Sequence, residues 1–215
     1  MAQVTTNYCT IYLARHGETE WNALHRIQGQ TDSPLTLNGI KQAKALAKNL
    51  RTVVFKAIFS SDLLRAKRTA EMVALDKKLT VITTQALRER AFGRFEGKTG
   101  TEFERELKDL FDQRETLADE GRFKFKLHPE IESDAEIVTR SLVYLREIAV
   151  AYANKTVLMV SHSGIIRGLL IHLGFGTYSE LPHTAIYNTA YVKLESDGID
   201  FFIKETFGIH RVEAK

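Results

Sequence analysis

Residues 156–161, TVLMVS, form a short, continuously apolar run that stops at Ser-His-Ser-Gly. A strand that is apolar on both faces has to be covered on both faces, and the usual solution is a parallel sheet between two layers of helix. The rest of the chain alternates in the way such a sheet requires. YCTIYLA (8–14), AIFSS (57–61) and LTVIT (79–83) predict further short strands. Residues 36–50 place Leu37, Ile40, Ala43, Leu46, Ala47 and Leu50 on one helical face. Residues 63–74 do the same with Leu63, Ala66, Ala70 and Val73, and Asp62 is the expected cap. A helix is predicted over 101–114, with Thr101 and Glu104 as a capping box. Others are predicted over 134–153 after Ser133, and over 163–173. Residues 31–35 read as a turn, 87–100 as a loop, and 115–131 show no clear periodicity. A last pair of strands, 185–194 and 199–206, flanks Ser-Asp-Gly. The expected fold class is therefore α/β, with a mostly parallel central sheet in one domain over residues 1–215.

Composition narrows the partners. The 215 residues carry a formal charge of +3, and the charges are interspersed, so no nucleic-acid footprint is present. The single cysteine, Cys9, cannot form an internal disulfide and sits in an apolar run, which predicts a buried strand thiol. No run approaches the roughly 18 apolar residues of a membrane span. The start, MAQVTTNYCTIYLA, lacks the basic region and long apolar stretch of a signal peptide. A cytoplasmic protein with a small anionic ligand is expected, with neither nucleic acid nor membrane as partner.

Ligands of open α/β sheets sit at the carboxyl ends of the strands. Three of those ends read ARHG, SSDLLR and SHSG, each with His or Arg just past the strand. A neutral imidazole is a good nitrogen nucleophile near pH 7. Phosphoryl transfer needs positioning and neutralisation of the equatorial oxygens, which guanidinium forks supply. Arg15 beside His16 suits a phosphate, and Gly17 admits close backbone approach. Arg65 lies one turn into the second helix, and His162, Ser163 and Gly164 follow the strongest strand. Glu89, in LRERAFG, can protonate a leaving oxygen, although Arg88 or Arg90 could pair with it. This chemistry calls for no metal and no cofactor.

RHGETEWN and the following RIQGQTDSPLTLNG resemble the signature of the histidine phosphatase superfamily, in its phosphoglycerate mutase-like branch. The resemblance continues in SSDLLRAKRTAE, LRERAFGRFEGKT, ESDAEIVTR and VSHSGIIRGLL, in the family's order. It implies a three-layer α/β/α sandwich. It implies that His16 becomes phosphorylated, that Arg15, Arg65 and His162 hold the phosphoryl group, and that Glu89 is the proton donor. Asn22 would contact the phosphate, and Gln28, Gly29 and Ser163 would contact the substrate, with Glu18 in support. A substrate-capping insertion is expected around residues 91–131. Residues 115–131 lack the paired arginines and Pro-rich segment of true mutases, and Gly-Gly is missing before Glu132-Ser133. The expectation is thus a metal-independent phosphatase acting on a small phosphomonoester.

Three alternatives stand beside it: a cofactor-dependent phosphoglycerate mutase, a non-catalytic phosphate-binding module, and a metal site on His16, His162 and Glu89. Two fixed cations, Arg15 and Arg65, disfavour the metal. Lys124 and Lys126 alternate along FKFKL, as a solvated edge with Phe123 and Phe125 inward, or as contacts to a second anion. Arg167 serves either an ion pair or the substrate. Trp21 reads as core. His25, His128, His172, His183 and His210 have no partner pattern and no assigned role.

Overall fold

The computed structural model describes residues 7–213. Strands β1 (Cys9–Arg15), β2 (Ala57–Ser61), β3 (Val81–Thr84) and β4 (Thr156–Ser161) run parallel. β5 (Ile186–Ser196) lies antiparallel beside β1, and β6 (Phe201–Ile209) pairs antiparallel with β5. The order across the sheet is β3-β2-β4-β1-β5-β6, so β4 and β1 are central and the sheet is mixed at one side.

Alternation along the central strands feeds two cores. Cys9, Ile11 and Leu13 of β1, with Val157 and Met159 of β4, pack against α7 (Asp134–Ala151) and α8 (Ser163–His172). Tyr12 and Ala14, with Leu158 and Val160, pack against α2 (Leu37–Asn49) and α3 (Leu64–Lys77). Both faces of TVLMVS are thus covered, as its composition demanded. Each fully buried aliphatic side chain contributes about 1.5–3 kcal/mol relative to exposure. Cys9 is a buried free thiol, and burial pushes it up to about 11.

Several expectations change in detail. The strands expected over 57–61 and 156–161 stand as expected, and the other four differ by one to three residues at their ends. Asp62 does not cap α3; Leu63 occupies that position with no side-chain bond, and Asp62 pairs with Arg88 instead. The helix expected over 101–114 is two helices, α4 (Gly100–Glu106) and α5 (Lys108–Glu115), meeting at Leu107. Its capping box is Thr99 with Glu102, two residues before the expected Thr101 and Glu104. The aperiodic stretch contains one short helix, α6 (Asp119–Lys124). It is too brief for a repeat to show in sequence. A turn of helix, α1 (Glu20–Ala23), follows the first strand. Lys124 pairs with Glu120 and Lys126 with Glu136, both on the exposed side, as a solvated edge would have it. Phe95, Phe103, Leu107, Leu127 and Ile131 form a third core, separate from the two that flank the sheet. No helix among the described residues is long and apolar enough to cross a membrane.

The loop after β1 is clamped to the start of α2. The Glu18 carboxylate accepts from Thr36 Oγ1 at 2.6 Å and Asn38 Nδ2 at 3.2 Å, and Thr36 N–H donates to the Glu18 carbonyl at 3.0 Å. The two backbones touch at glycines. A Cβ on Gly17 would lie 2.5 Å from the Gly39 carbonyl oxygen, and one on Gly39 would lie 2.0 Å from the Glu18 carbonyl oxygen. Gly17 is therefore needed for this helix contact, where the sequence had suggested approach to a ligand. Gly39→Ala is expected to lower the unfolding free energy by about 1–3 kcal/mol, read as a shift in the urea midpoint at unchanged m-value.

Candidate active site

The carboxyl ends of β1, β4 and β2 lie side by side, because β4 pairs with both neighbours in parallel register. Arg15 and Ser161 are register partners, so His16 and His162 emerge next to each other. Their ring centroids are 5.1 Å apart at 60°. His16 is 3% exposed and His162 fully buried.

The His16 tautomer follows from its neighbour. Nδ1 lies 2.7 Å from the Gly17 carbonyl oxygen. A carbonyl only accepts, so Nδ1 carries the hydrogen and Nε2 carries the lone pair. The backbone behind the ring is fixed from three sides. His16 N–H donates to the Ser161 carbonyl, and the His16 carbonyl accepts from Asn188 Nδ2 and Thr189 N–H. Thr189 has φ +60°, a left-handed conformation that a β-branched residue rarely adopts. It sits where β5 slips register against β6.

Arg65 is 1% exposed. Nη1 donates to the Thr31 carbonyl at 2.9 Å and to Asp32 at 3.3 Å, and Nη2 donates to the Gly29 carbonyl at 2.6 Å. Arg15 Nη1 donates to the Ile186 carbonyl at 2.6 Å. The Nε of each arginine is buried without a protein partner, as are both ring nitrogens of His162. Burial lowers Arg15 to about 10, against the attraction of Glu89, so it remains a cation at neutral pH.

Glu89 reaches the site from the loop after β3. Oε2 accepts from Gly164 N–H at 3.1 Å, and Oε1 from Arg90 N–H at 2.8 Å. The carboxyl group therefore sits at the N-terminus of α8. A Cβ on Gly164 would lie 2.2 Å from Oε1, so glycine is required there. Neither neighbouring arginine pairs with Glu89: Arg88 goes to Asp62 and Arg90 to Asp134.

Arg15, His16, Arg65 and Glu89 line a cavity of about 320 Å3, which also takes in Asn22, Gln28, Gly29 and Ser163, while the fully buried His162 lies outside the lining. The structure thus gathers the residues singled out in sequence, with His162 packed against His16. Asn22 Oδ1 is occupied by Thr19 and Asn188, which leaves its Nδ2 as the available donor. The Gly29 carbonyl is taken by Arg65, and Gly17 N–H donates to Thr69 Oγ1, so these backbone groups hold the site together. Asn188, Thr189 and Thr69 escaped the sequence reading. So did Arg140, which donates to the carbonyls of Ala86 and Glu89. His183, assigned no role, lines the cavity. Trp21 is half-buried rather than core.

A sequence model of the histidine phosphatase superfamily (branch 1) matches residues 11–207. The chain belongs to this superfamily. Among its relatives, the probable phosphoglycerate mutase GpmB of Proteus mirabilis is 38% identical, over 79% of this chain and 77% of that protein. The uncharacterized phosphatase PhoE of Bacillus subtilis is 31% identical, over 86% and 87%. A solved phosphoglycerate mutase from Bacillus anthracis superimposes with a TM-score of 0.82 at 27% identity, covering 97% of this chain and 96% of that one. The superfamily includes both phosphatases and mutases.

The histidines dictate a pH dependence. Burial first, then the charges of Arg65 and Arg15, push His16 well below 6.5, against the opposing bond to Gly17. His162 is pushed the same way by burial, then by Arg65 and His16. Below the unfolded value the unfolded chain takes up protons that the folded chain refuses. Stability is therefore lost as pH falls below 6.5, by about 1.4 kcal/mol per pH unit for each histidine. Urea unfolding in phosphate-free buffer is expected to show this slope between pH 6.5 and about 5, and a shallower one in the His16→Gln/His162→Gln variant.

Proposed function

We propose that this protein is a metal-independent phosphatase that hydrolyses a small phosphomonoester through a phosphohistidine on His16. The observation that carries this reading is the pairing of a neutral Nε2 lone pair with two arginines whose buried Nε donors have no protein partner. Neutral imidazole supplies the electrons, and two fixed cations receive the negative oxygens.

In the first step His16 Nε2 attacks phosphorus and the P–O ester bond breaks. Glu89, as the carboxylic acid, gives its proton to the departing oxygen. Arg15 and Arg65 hold the equatorial oxygens, with Asn22 Nδ2 and His162 adding donors. In the second step the Glu89 carboxylate takes a proton from water. The water oxygen attacks phosphorus, the P–N bond breaks, and His16 recovers its lone pair while inorganic phosphate leaves. The hydrogen on Nδ1 stays bonded to the Gly17 carbonyl throughout, which stabilises the ring when it is positive in the intermediate. Gln28, Gly29 and Ser163 border the remainder of the substrate.

The similarity to proteins named as mutases supports a second reading, in which the phosphoryl group returns to the product instead of passing to water. The test is release of inorganic phosphate from an aryl phosphate and a panel of phosphorylated metabolites, with chelator present. Wild type is expected to release phosphate, and His16→Ala to lose at least about 1,000-fold in kcat. Glu89→Gln is expected to lose about 100- to 10,000-fold. Transfer from a bisphosphorylated primer without net phosphate release would establish the mutase reading. Full activity in His16→Ala would remove both.

A further inference from the structure

The cavity lining is chemically divided. Ile27, Phe103, Phe111, Phe125 and Leu127 make part of it apolar. Arg90, Arg114 and Arg167 line the same cavity. One buried carboxylate, Asp134, lies among them. Its Oδ1 accepts from Arg90, and its Oδ2 from Arg114 at 3.2 Å and from the Tyr178 hydroxyl at 2.8 Å. Asp134 thus bonds Arg90, Arg114 and Tyr178, and acts on Arg167 only through space.

Arg167 is 5% exposed. Its Nε donates to the Leu181 carbonyl, and its guanidinium stacks on the Tyr178 ring at 5.0 Å, opposite Arg114 at 4.9 Å. No carboxylate among the described residues makes an ion pair with it. Burial lowers it to about 10, so the charge persists at neutral pH at a cost. Glu104, also in the lining, is exposed and belongs to α4. A buried cation normally has a matching anion. Here Asp134 is the one buried carboxylate among three guanidinia, Arg114 also meets the exposed Glu115 at 3.8 Å, and Arg167 has no ion pair among the described residues.

We infer that the substrate is bipolar: its phosphate lies at His16, a flat apolar body lies against the phenylalanines, and a carboxylate is held by Arg167. This rests on the phosphatase reading and names the substrate class of the same site. A guanidinium fork matches the two oxygens of a carboxylate, and planar aromatic surface favours rings over short polyols. Lys124 and Lys126 play no part, since both are paired on the outer surface. Arg167 is thus a specificity residue.

The test has a binding arm and a turnover arm. Calorimetry compares benzylphosphonate with its 4-carboxy derivative and with the longer 4′-carboxybiphenylmethylphosphonate, none of which can be hydrolysed. Kinetics compare phenyl phosphate, 4-carboxyphenyl phosphate, 4′-carboxybiphenyl phosphate and 3-phosphoglycerate. One carboxylated aryl compound is expected to exceed its uncharged parent by about tenfold or more in affinity and in kcat/KM. It is also expected to exceed 3-phosphoglycerate in kcat/KM. Arg167→Gln is expected to erase the carboxylate advantage chiefly through KM, and Arg167→Lys to restore part of it. Phe125→Ala is expected to reduce the aryl preference. Equal binding of the carboxylated compounds and their parents overturns the Arg167 assignment. Preference for 3-phosphoglycerate overturns the aryl body. Carboxylate-dependent binding without phosphate release keeps the inference and removes the phosphatase reading.

Discussion

The repulsion between Arg15 and Arg65 across a buried imidazole is the interaction that the surrounding structure is arranged to withstand. Each lowers the proton affinity of His16, and Arg65 lowers that of Arg15. Neither arginine is neutralised in the ordinary way. Asp32 touches Arg65 at 3.3 Å but is itself 30% exposed. Glu89 attracts both arginines without pairing with either, and carbonyl dipoles at Gly29, Thr31 and Ile186 replace water without cancelling the charge. Those carbonyls must be held firmly. Glu96 does this for the loop at 29–31, accepting from Gln30 N–H and Thr31 N–H at 2.9 Å. The result is a preorganised positive field whose reorganisation cost has been met during folding.

The sheet supplies the rigidity. β1 and β4 are each buried on both faces, and His16 and His162 are the residues immediately after them. A residue there is positioned by backbone ladders on both sides, so both histidines inherit the precision of the core. Glu89 arrives differently, through a loop: its carboxylate accepts from Gly164 N–H at the start of α8, and its backbone carbonyl accepts from Arg140.

Much of this was legible in the sequence because it is local. A double-sided apolar strand followed by Ser-His-Ser-Gly announces both a central strand and a site residue. The interspersed helical faces announce the layers. What was not legible depends on contacts between distant segments. Asn188 and Thr189 look like ordinary strand residues in IYNTAYV, and only the pairing of β5 with β1 brings them to His16. Asp62 has the right residue type and position for a cap, yet a bidentate contact to Arg88 competes successfully for its carboxylate. Thr99, not Thr101, starts α4 because the preceding chain is tied to Ile27 and Arg26 by bridges that no periodicity encodes. Arg167 was ambiguous in sequence because the same helical position serves an ion pair or a ligand equally well.

The third core has a consequence for how such a protein can diversify. Phe95, Phe103, Leu107, Leu127 and Ile131 pack among themselves and form no part of the two clusters that stabilise the sheet. Substitutions at the cavity-facing members of this group alter what the protein admits while leaving the reacting centre supported. Part of the cavity wall is thus stored apart from the strand ends that carry His16 and His162. Changes at Phe103 or Leu127 reshape that wall while the two cores that hold the sheet carry on intact.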